Sequence, residues 1–129
     1  MKYLSDYIEK PQEALFKKLG AFFAFNKHQL EESAKKGVKY TNLGSGTICP
    51  RENAKALVDG YNEIVKKGIE ADKKDHTAEH IIMRELDNHE AFESWDIEDT
   101  VNKLKDYGQG FSREDIQEVF NSKTRKEMQ

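Results

Sequence analysis

Strand and turn residues are concentrated in the N-terminal third of the chain. A short apolar block, Ala21–Phe25, is followed by a β-rich stretch with several glycines, Gly37–Pro50, whereas the rest of the chain shows charged helical periodicity. Within that stretch, the runs Val38–Leu43 and Gly46–Cys49 flank Gly44-Ser45, and glycine at the first central position favours a type II′ hairpin turn. The sequence therefore predicts a small three-stranded sheet formed by residues 21–49 or so.

Helical patterns lie on both sides of these predicted strands. Residues Tyr3–Leu19 have helical spacing, and Pro11 within them predicts a kink or a division into two short helices. Asn26 is expected to cap a brief helix that ends at Lys36, and Pro50 is expected to open a long one. The sheet should therefore pack against several helices.

The second half of the chain is predicted to be helical. Thr77 and Asp96 are suitable N-caps, and Ser112 with Asp115 resembles a capping box that opens a last helix with a frayed tail over residues 122–129. A length of 129 residues favours one domain with a proper core. We therefore predict a single α+β domain over residues 1–129.

Composition limits the classes of function and compartment. The net charge of −3 gives no reason to expect nucleic-acid binding, and no apolar run approaches the length of a signal peptide core or a membrane span. The single cysteine, Cys49, excludes an internal disulfide and fits a reducing compartment. We expect a cytoplasmic protein without a nucleic-acid or membrane partner, and homo-oligomerisation stays open.

Acidic residues are concentrated in one stretch of the predicted C-terminal helices. Residues 76–110 contain nine acidic and three basic residues, whereas residues 20–50 contain two acidic and four basic ones. Such a stretch is usually the solvated face of helices, but it can also attract a basic partner. The candidate acidic interaction surface consists of Glu85, Asp87, Glu90, Glu93, Asp96, Glu98 and Asp99.

A second candidate site combines the glycine turn with the helix start that follows it. Glycines leave the backbone accessible, and a helix N-terminus favours anions and lowers the pKa of a nearby thiol. The alternatives are a plain hairpin turn and a buried cysteine at the end of a strand. The candidate ligand-binding residues are Gly44, Ser45, Gly46, Thr47, Cys49, Arg51 and His89.

His89 has a nearby carboxylate, because Glu85 lies one helical turn before it. Such a pair can act in general acid–base catalysis, but no nucleophile or second base is in view. A partly buried histidine tethered by the glutamate is the favoured interpretation. No catalytic residue is therefore predicted.

A third pattern, His76-Thr77-Ala78-Glu79-His80, matches the H-x-x-E-H motif of zinc peptidases. Two histidines four residues apart on one helix can share a metal ion, with Glu85 or Glu90 as a third ligand. Thr77 as an N-cap would instead place His76 outside the helix. We predict neither a metal site nor a cofactor.

Four runs of the sequence carry a family resemblance: Gly20-Ala-Phe-Phe-Ala-Phe25, Gly37-Val-Lys-Tyr40, Ile48-Cys-Pro50 and Arg84-Glu-Leu-Asp-Asn-His-Glu90. Together they resemble a family of short uncharacterised proteins found in bacteriophages, prophages and mobile elements. The resemblance spans the chain from Met1 to about Phe120. It implies a setting inside a bacterial cell rather than an activity.

Three functions follow as hypotheses. The first is a non-enzymatic accessory protein that binds a host or phage protein through the acidic surface or a sheet edge. The second is a small-ligand or nucleotide-binding protein that sequesters its ligand with the Gly44–Arg51 turn and helix start. The third is a metal-dependent hydrolase that uses His76 and His80. The first is the interpretation that we favour.

Overall fold

The fold divides into two units at Gly68 and Ile69, which lie inside one long helix. The structure, a computed structural model, describes the backbone of residues 2–128 and the side chains of residues 2–126. We call residues up to Gly68 the N-terminal unit and those from Ile69 onward the C-terminal unit. That one domain spans residues 1–129 stays a prediction.

Helix α1 is Leu4–Leu19, and it runs through Pro11 as one element. The predictions of two short helices and of Pro11 in a first turn are therefore wrong. The absence of an N–H on Pro11 costs this helix one backbone hydrogen bond, and packing of its apolar side compensates. Gly20 ends the helix in the left-handed conformation, with φ 74°.

The packing of α1 depends on two glycines of helix α3, Ala54–Asp75. A Cβ atom added to Gly68 would lie 2.8 Å from Ile8 Cγ2, and one added to Gly60 would lie 3.0 Å from Leu15 Cδ1. Glycine therefore lets the two helices approach closely. A short helix, α2, spans Lys27–Ser33 and is capped by Asn26 as predicted, although it ends before Lys36.

Three short antiparallel strands form the sheet, in the order β1-β3-β2. They are β1 Phe22–Phe23, β2 Tyr40–Asn42 and β3 Thr47–Pro50. The register pairs Phe22 with Ile48 and Thr41 with Cys49. The predicted three-stranded sheet and α+β class are thus confirmed.

The hairpin turn is centred one residue later than predicted. Thr47 N–H donates to the Gly44 carbonyl at 2.9 Å, so Ser45 and Gly46 are the central residues. Both have positive φ, 51° and 77°, which is the pattern of a type I′ turn rather than type II′. Pro50 belongs to β3 instead of opening a helix, and a 3-10 turn, Arg51–Asn53, connects it to α3.

Beyond α3, the C-terminal unit consists of helices and one 3-10 turn. Thr77 caps α4 through its hydroxyl oxygen, which accepts from His80 N–H at 3.1 Å, as predicted. Asp96 accepts from Glu98 N–H at 2.9 Å. The elements are α4 Ala78–Asn88, α5 Ala91–Ser94, α6 Glu98–Lys103, the turn Lys105–Tyr107 and α7 Arg113–Met128.

The last helix begins with the predicted capping box. Ser112 Oγ accepts from Asp115 N–H at 3.1 Å, and Asp115 Oδ2 accepts from Ser112 N–H at 3.1 Å. α7 continues through Met128, so fraying from residue 122 is not seen over the described part of the tail. Gln129 lies outside the described residues. Within residues 2–128, no helix is both long and apolar enough to traverse a bilayer.

Candidate functional site

A groove of about 380 Å³ opens on the N-terminal unit between the sheet and the helices α1 and α3. None of its eleven lining residues is charged, although 35% of the chain is. Six of them are large and apolar: Phe16, Phe23, Leu43, Leu57, Val58 and Tyr61. The other five are Gln12, Gly44, Ser45, Thr47 and Asn62. The groove therefore offers apolar surface with amide and hydroxyl groups.

Regular elements hold the groove residues in place. Phe23 on β1 is paired with Thr47 on β3, so both lie at the turn end of the sheet. Gln12 and Phe16 are one helical turn apart on α1, and Val58 and Asn62 are one turn apart on α3. These walls consist mainly of helix and strand, which position side chains more rigidly than loops do.

Exposed apolar side chains are unusually concentrated here. Seven large apolar side chains are exposed in the part of the chain that the structure describes, and six of these belong to the N-terminal unit. Four of the six line this groove: Phe23, Leu43, Val58 and Tyr61. Scattered exposed apolar residues are ordinary in soluble proteins, whereas a contiguous group marks an interaction surface.

An aromatic row extends from the groove along the sheet. Phe16 and Phe23 have ring centroids 5.0 Å apart, and Phe23 and Phe25 stack at 6.3 Å with an interplanar angle of 4°. Phe25 is 73% exposed, and its ring covers Gly46, where an added Cβ would lie 2.4 Å from a ring carbon. Gly46 thus permits both the turn and the position of the ring.

The chemistry of the groove is suited to binding. Ser45, Thr47 and Tyr61 supply hydroxyl groups, but no histidine, cysteine, carboxylate or lysine lines the groove to activate them. A phosphate or carboxylate placed there would lose water without gaining a charged partner. An uncharged occupant with apolar groups matches the lining residues.

The candidate ligand-binding residues divide between several places. Gly44, Ser45 and Thr47 line the groove, and Gly46 lies beneath Phe25. Arg51 lies with Val38 and Lys39 on a different surface of the N-terminal unit. The structure therefore brings together only the glycine-rich part of the predicted grouping.

Two other candidate ligand residues are not accessible in the predicted way. Cys49 is fully buried on β3, and burial raises the pKa of its thiol. Its inclusion in a ligand site is wrong, and the strand-end interpretation holds, because the side chain is part of the core. His89 belongs to the C-terminal unit as the C-cap of α4, and its Nε2 is buried without a hydrogen-bond partner among the described residues.

A buried polar cluster lies inside the C-terminal unit, centred on Asp72 of α3. Arg84 of α4 donates from Nη1 and Nη2 to the two carboxylate oxygens of Asp72 at 2.8 and 2.9 Å. Tyr107 donates its hydroxyl to Asp72 Oδ2 at 2.6 Å, and His76 Nδ1 lies 3.0 Å from Oδ1. Lys73 Nζ donates to the Tyr107 carbonyl at 2.8 Å. The cluster thus connects two helices and the 3-10 turn.

The electrostatics of this cluster favour its charged form. Burial alone would raise the pKa of Asp72, but hydrogen bonds from Arg84, Tyr107 and His76 outweigh burial and lower it. Burial would lower the pKa of Arg84, and the Asp72 carboxylate raises it overall. Burial and the hydrogen bond to Asp72 raise the pKa of the Tyr107 hydroxyl well above its ordinary value. Asp72 and Arg84 therefore form an ion pair in which both groups are charged at neutral pH.

Glu85 does not belong to the acidic surface, and that prediction is wrong. Its side chain is buried, with Oε1 3.6 Å from Arg84 Nη2. Among the residues with described side chains, none forms a hydrogen bond with its Oε2. The physical reason is that the apolar face of α4 is wide enough to take Arg84 and Glu85 into the core together.

The other six acidic residues are exposed as predicted, and two of them have basic partners. Glu98 binds Arg113 through two hydrogen bonds, one of 2.7 Å, which lower the pKa of Glu98. Asp87 Oδ1 lies 3.7 Å from Lys123 Nζ. The six exposed residues are Asp87, Glu90, Glu93, Asp96, Glu98 and Asp99.

The histidine motif is divided by the start of α4, as the N-cap Thr77 predicts. His76 lies outside α4 because Thr77 caps it, and His76 Nδ1 faces Asp72. The rings of His76 and His80 stack at 4.7 Å. Across the described side chains, no group of three or more His, Cys, Asp or Glu residues is arranged to hold a metal ion.

The groove was not predicted from the sequence, because its apolar residues on α3 have the helical spacing of buried core residues. The helical spacing of Leu57, Val58 and Tyr61 is typical of the buried stripe of a helix, but only Leu57 is buried. Periodicity alone gives no signal that separates the exposed part of such a stripe from its buried part.

Comparison with known proteins finds no curated protein and no solved structure that matches this chain. One family model covers residues 4–126, nearly the whole chain. The chain therefore belongs to a family described as a family of unknown function, DUF7659.

Proposed function

We propose that this protein is a non-enzymatic binding protein whose site is the uncharged groove of the N-terminal unit. Its occupant is an apolar, uncharged segment of another protein. One observation carries the proposal: of the seven large apolar side chains that are exposed among the described residues, four line a single groove in which no residue is charged. Leaving such a surface in water is costly, and a partner that covers it gains free energy from apolar burial.

The lining residues also indicate how a segment would lie. Phe23, Leu43 and Val58 offer apolar contacts, whereas Gln12 and Asn62 offer amides for backbone groups of the occupant. β1, which carries Phe23, is an edge strand of the sheet. An extended segment could therefore pair with this edge while its side chains enter the groove.

A second candidate function is the binding of a small uncharged molecule in the same groove. The volume of about 380 Å³ lies within the range of small-molecule sites, which is the observation that favours it. An acidic ligand or nucleotide fits less well, because Arg51 does not line the groove. The segment is preferred because the groove is open and continues into the exposed Phe25.

The cellular setting is part of the proposal. The sequence runs described above resemble proteins of bacteriophages, prophages and mobile elements, so we propose a protein partner in the cytoplasm of a bacterial host. A binding role needs no cofactor.

Selection of peptides from a random display library on the purified protein tests the groove. We expect enrichment of uncharged peptides with aromatic and aliphatic residues. Calorimetry should then show binding at least about tenfold weaker to Val58→Lys, because the lysine charge would be desolvated in the groove. Val58 is 44% exposed, so the change should leave the fold intact.

Val38→Lys is the matched control, because Val38 is 39% exposed but lies outside the groove. It should bind the selected peptides as the parent does. Equal binding to Val58→Lys, or selection of charged peptides only, would contradict the proposal. Native mass spectrometry of protein purified from its own host would support the second candidate if a small bound mass disappears in Val58→Lys and persists in Val38→Lys.

A further inference from the structure

Trp95 is the one large apolar side chain of the C-terminal unit that is exposed among the described residues, at 68%. It follows α5 as the C-cap, and its backbone N–H donates to the Ala91 carbonyl at 2.8 Å. Its φ of 61° is rare for a bulky residue, because glycine is the usual residue in this conformation. The backbone thus presents an indole to solvent at a position where glycine would be favoured.

Aromatic neighbours support the indole from one side. Trp95 meets Phe120 edge to face, with centroids 5.8 Å apart and an angle of 76°. Phe120 is 5% exposed and stacks on Phe92 at 5.0 Å. The ring is therefore anchored on a buried residue while most of its surface stays in water.

The residues around Trp95 in sequence are acidic. No lysine or arginine occurs between residues 85 and 99. Among the described side chains, Glu90, Glu93 and Asp99 are exposed and form no ion pair, whereas Asp96 interacts electrostatically with Arg113. The exposed aromatic ring therefore lies in a stretch of the chain with uncompensated negative charge.

The same region already binds one cation of the chain itself. Lys123 Nζ lies 4.9 Å from the ring centroid of Phe92 and 3.7 Å from Asp87 Oδ1. This contact combines a cation–π interaction with a carboxylate. Trp95 with its acidic neighbours offers the same two groups, and no described lysine or arginine occupies them.

We propose that Trp95 and the acidic residues around it form a docking surface for an arginine-containing basic segment of another protein. An arginine stacks on the indole, and its neighbours pair with Glu90, Glu93 and Asp99. The negative charge disfavours nucleic acid and anionic lipid surfaces, which leaves a basic protein segment as the occupant. This surface is separate from the groove, because the groove takes an uncharged occupant and all its lining residues belong to the N-terminal unit.

Trp95 is the single tryptophan of the chain, so its fluorescence reports directly on this surface. The test is a titration of the full chain with capped hexaarginine and with capped hexalysine at low salt. We expect hexaarginine to change the Trp95 fluorescence and to bind about fivefold more tightly than hexalysine, because the guanidinium stacks on indole. Equal affinity for the two peptides, or no fluorescence change with hexaarginine, would overturn the proposal.

Two sets of variants separate this surface from general electrostatics. The triple variant Glu90→Gln, Glu93→Gln, Asp99→Asn should bind hexaarginine about tenfold more weakly, because three exposed pairs are lost. Glu52→Gln, Asp59→Asn, Glu63→Gln changes the net charge equally in the N-terminal unit and should bind as the parent does. A comparable loss in this control set would refute a defined surface.

Trp95→Gly tests the indole itself, with binding measured by calorimetry. Glycine suits the backbone conformation of residue 95, so the variant should keep the thermal midpoint of the parent. We expect its preference for hexaarginine over hexalysine to disappear. A preserved preference would show that the indole is no part of the surface and would sink the proposal.

Discussion

The two units of the chain differ in which apolar and polar side chains they bury. Of the sixteen apolar residues that are buried within the described part of the chain, five lie in the N-terminal unit and eleven in the C-terminal unit. Of the side chains that the structure describes, six of the seven large apolar ones that are exposed lie in the N-terminal unit, whereas the four buried polar or charged ones lie in the C-terminal unit. The C-terminal unit therefore buries the larger core, and the N-terminal unit leaves more of its apolar surface in water.

The sharpest way to break this comparison is to remove the positive charge from the core of the C-terminal unit. Arg84→Met should lower the free energy of unfolding by about 4 kcal/mol, because it leaves Asp72 buried without its bidentate partner. Urea unfolding followed by circular dichroism measures this. The double change Arg84→Met, Asp72→Leu should recover part of the loss, since it removes both charges.

Arg113→Met serves as the control for Arg84→Met, because Arg113 also pairs with a carboxylate, that of Glu98, but at the surface. It should move the urea midpoint little. A loss from Arg84→Met no larger than from Arg113→Met would mean that the buried cluster does not stabilise the C-terminal unit.

A smaller effect is expected from the hydroxyl of Tyr107. Tyr107→Phe should cost about 2 kcal/mol at neutral pH, because it removes a hydrogen bond to a buried carboxylate. The pKa of Tyr107 is raised in the folded protein, so the stability that the hydroxyl contributes is full below the ordinary tyrosine pKa of about 10 and declines above it. The gap between parent and variant should therefore narrow at alkaline pH.

Urea unfolding at about pH 8 and about pH 11 checks the Tyr107→Phe prediction, since these values lie on either side of the ordinary tyrosine pKa. Tyr61→Phe is the control, because Tyr61 lines the open groove, and it should leave stability at neutral pH unchanged. A gap that widens with pH would give the opposite sign to the one expected from the raised pKa of Tyr107.

The smallest expected effect concerns the hairpin turn of the N-terminal unit. Gly44→Ala and Gly46→Ala should each cost about 1 kcal/mol, because both residues have positive φ. Only Gly46→Ala should also displace the Phe25 ring, since an added Cβ meets nothing at Gly44. NMR shifts of Phe25 and thermal unfolding distinguish the two variants. Identical Phe25 shifts in both would contradict the contact.

Local patterns in the sequence predicted much of the fold. Asn26 and Thr77 cap helices as expected, and the hairpin pairs β2 with β3, because caps and turns depend on a few adjacent residues. The turn is centred one residue later than the sequence predicts, because three consecutive residues, Gly44–Gly46, have positive φ. The division of α1 at Pro11 was predicted wrongly, because the packing of α1 against α3 outweighs the one hydrogen bond that proline cannot form.

The sites were harder to predict, because they depend on contacts distant in sequence. Arg84 and Asp72 are twelve residues apart on different helices, so nothing local indicated that they pair in the core. Val58 and Tyr61 had the periodicity of buried residues, and periodicity does not distinguish a core from an open groove. The acidic stretch can be read from the sequence. The exposure of Trp95 cannot, because it depends on the left-handed backbone conformation of that residue.

The carboxylate of Asp72 also makes a later segment of the chain necessary for the middle. Its tyrosine donor follows 35 residues later, after α4, α5 and α6 have been synthesised. A nascent chain that stops before Tyr107 therefore encloses a charge that lacks one of its donors, and the cost falls on α3 and α4. Proteases should cleave such truncated products readily, whereas chains that extend past Tyr107 keep this donor.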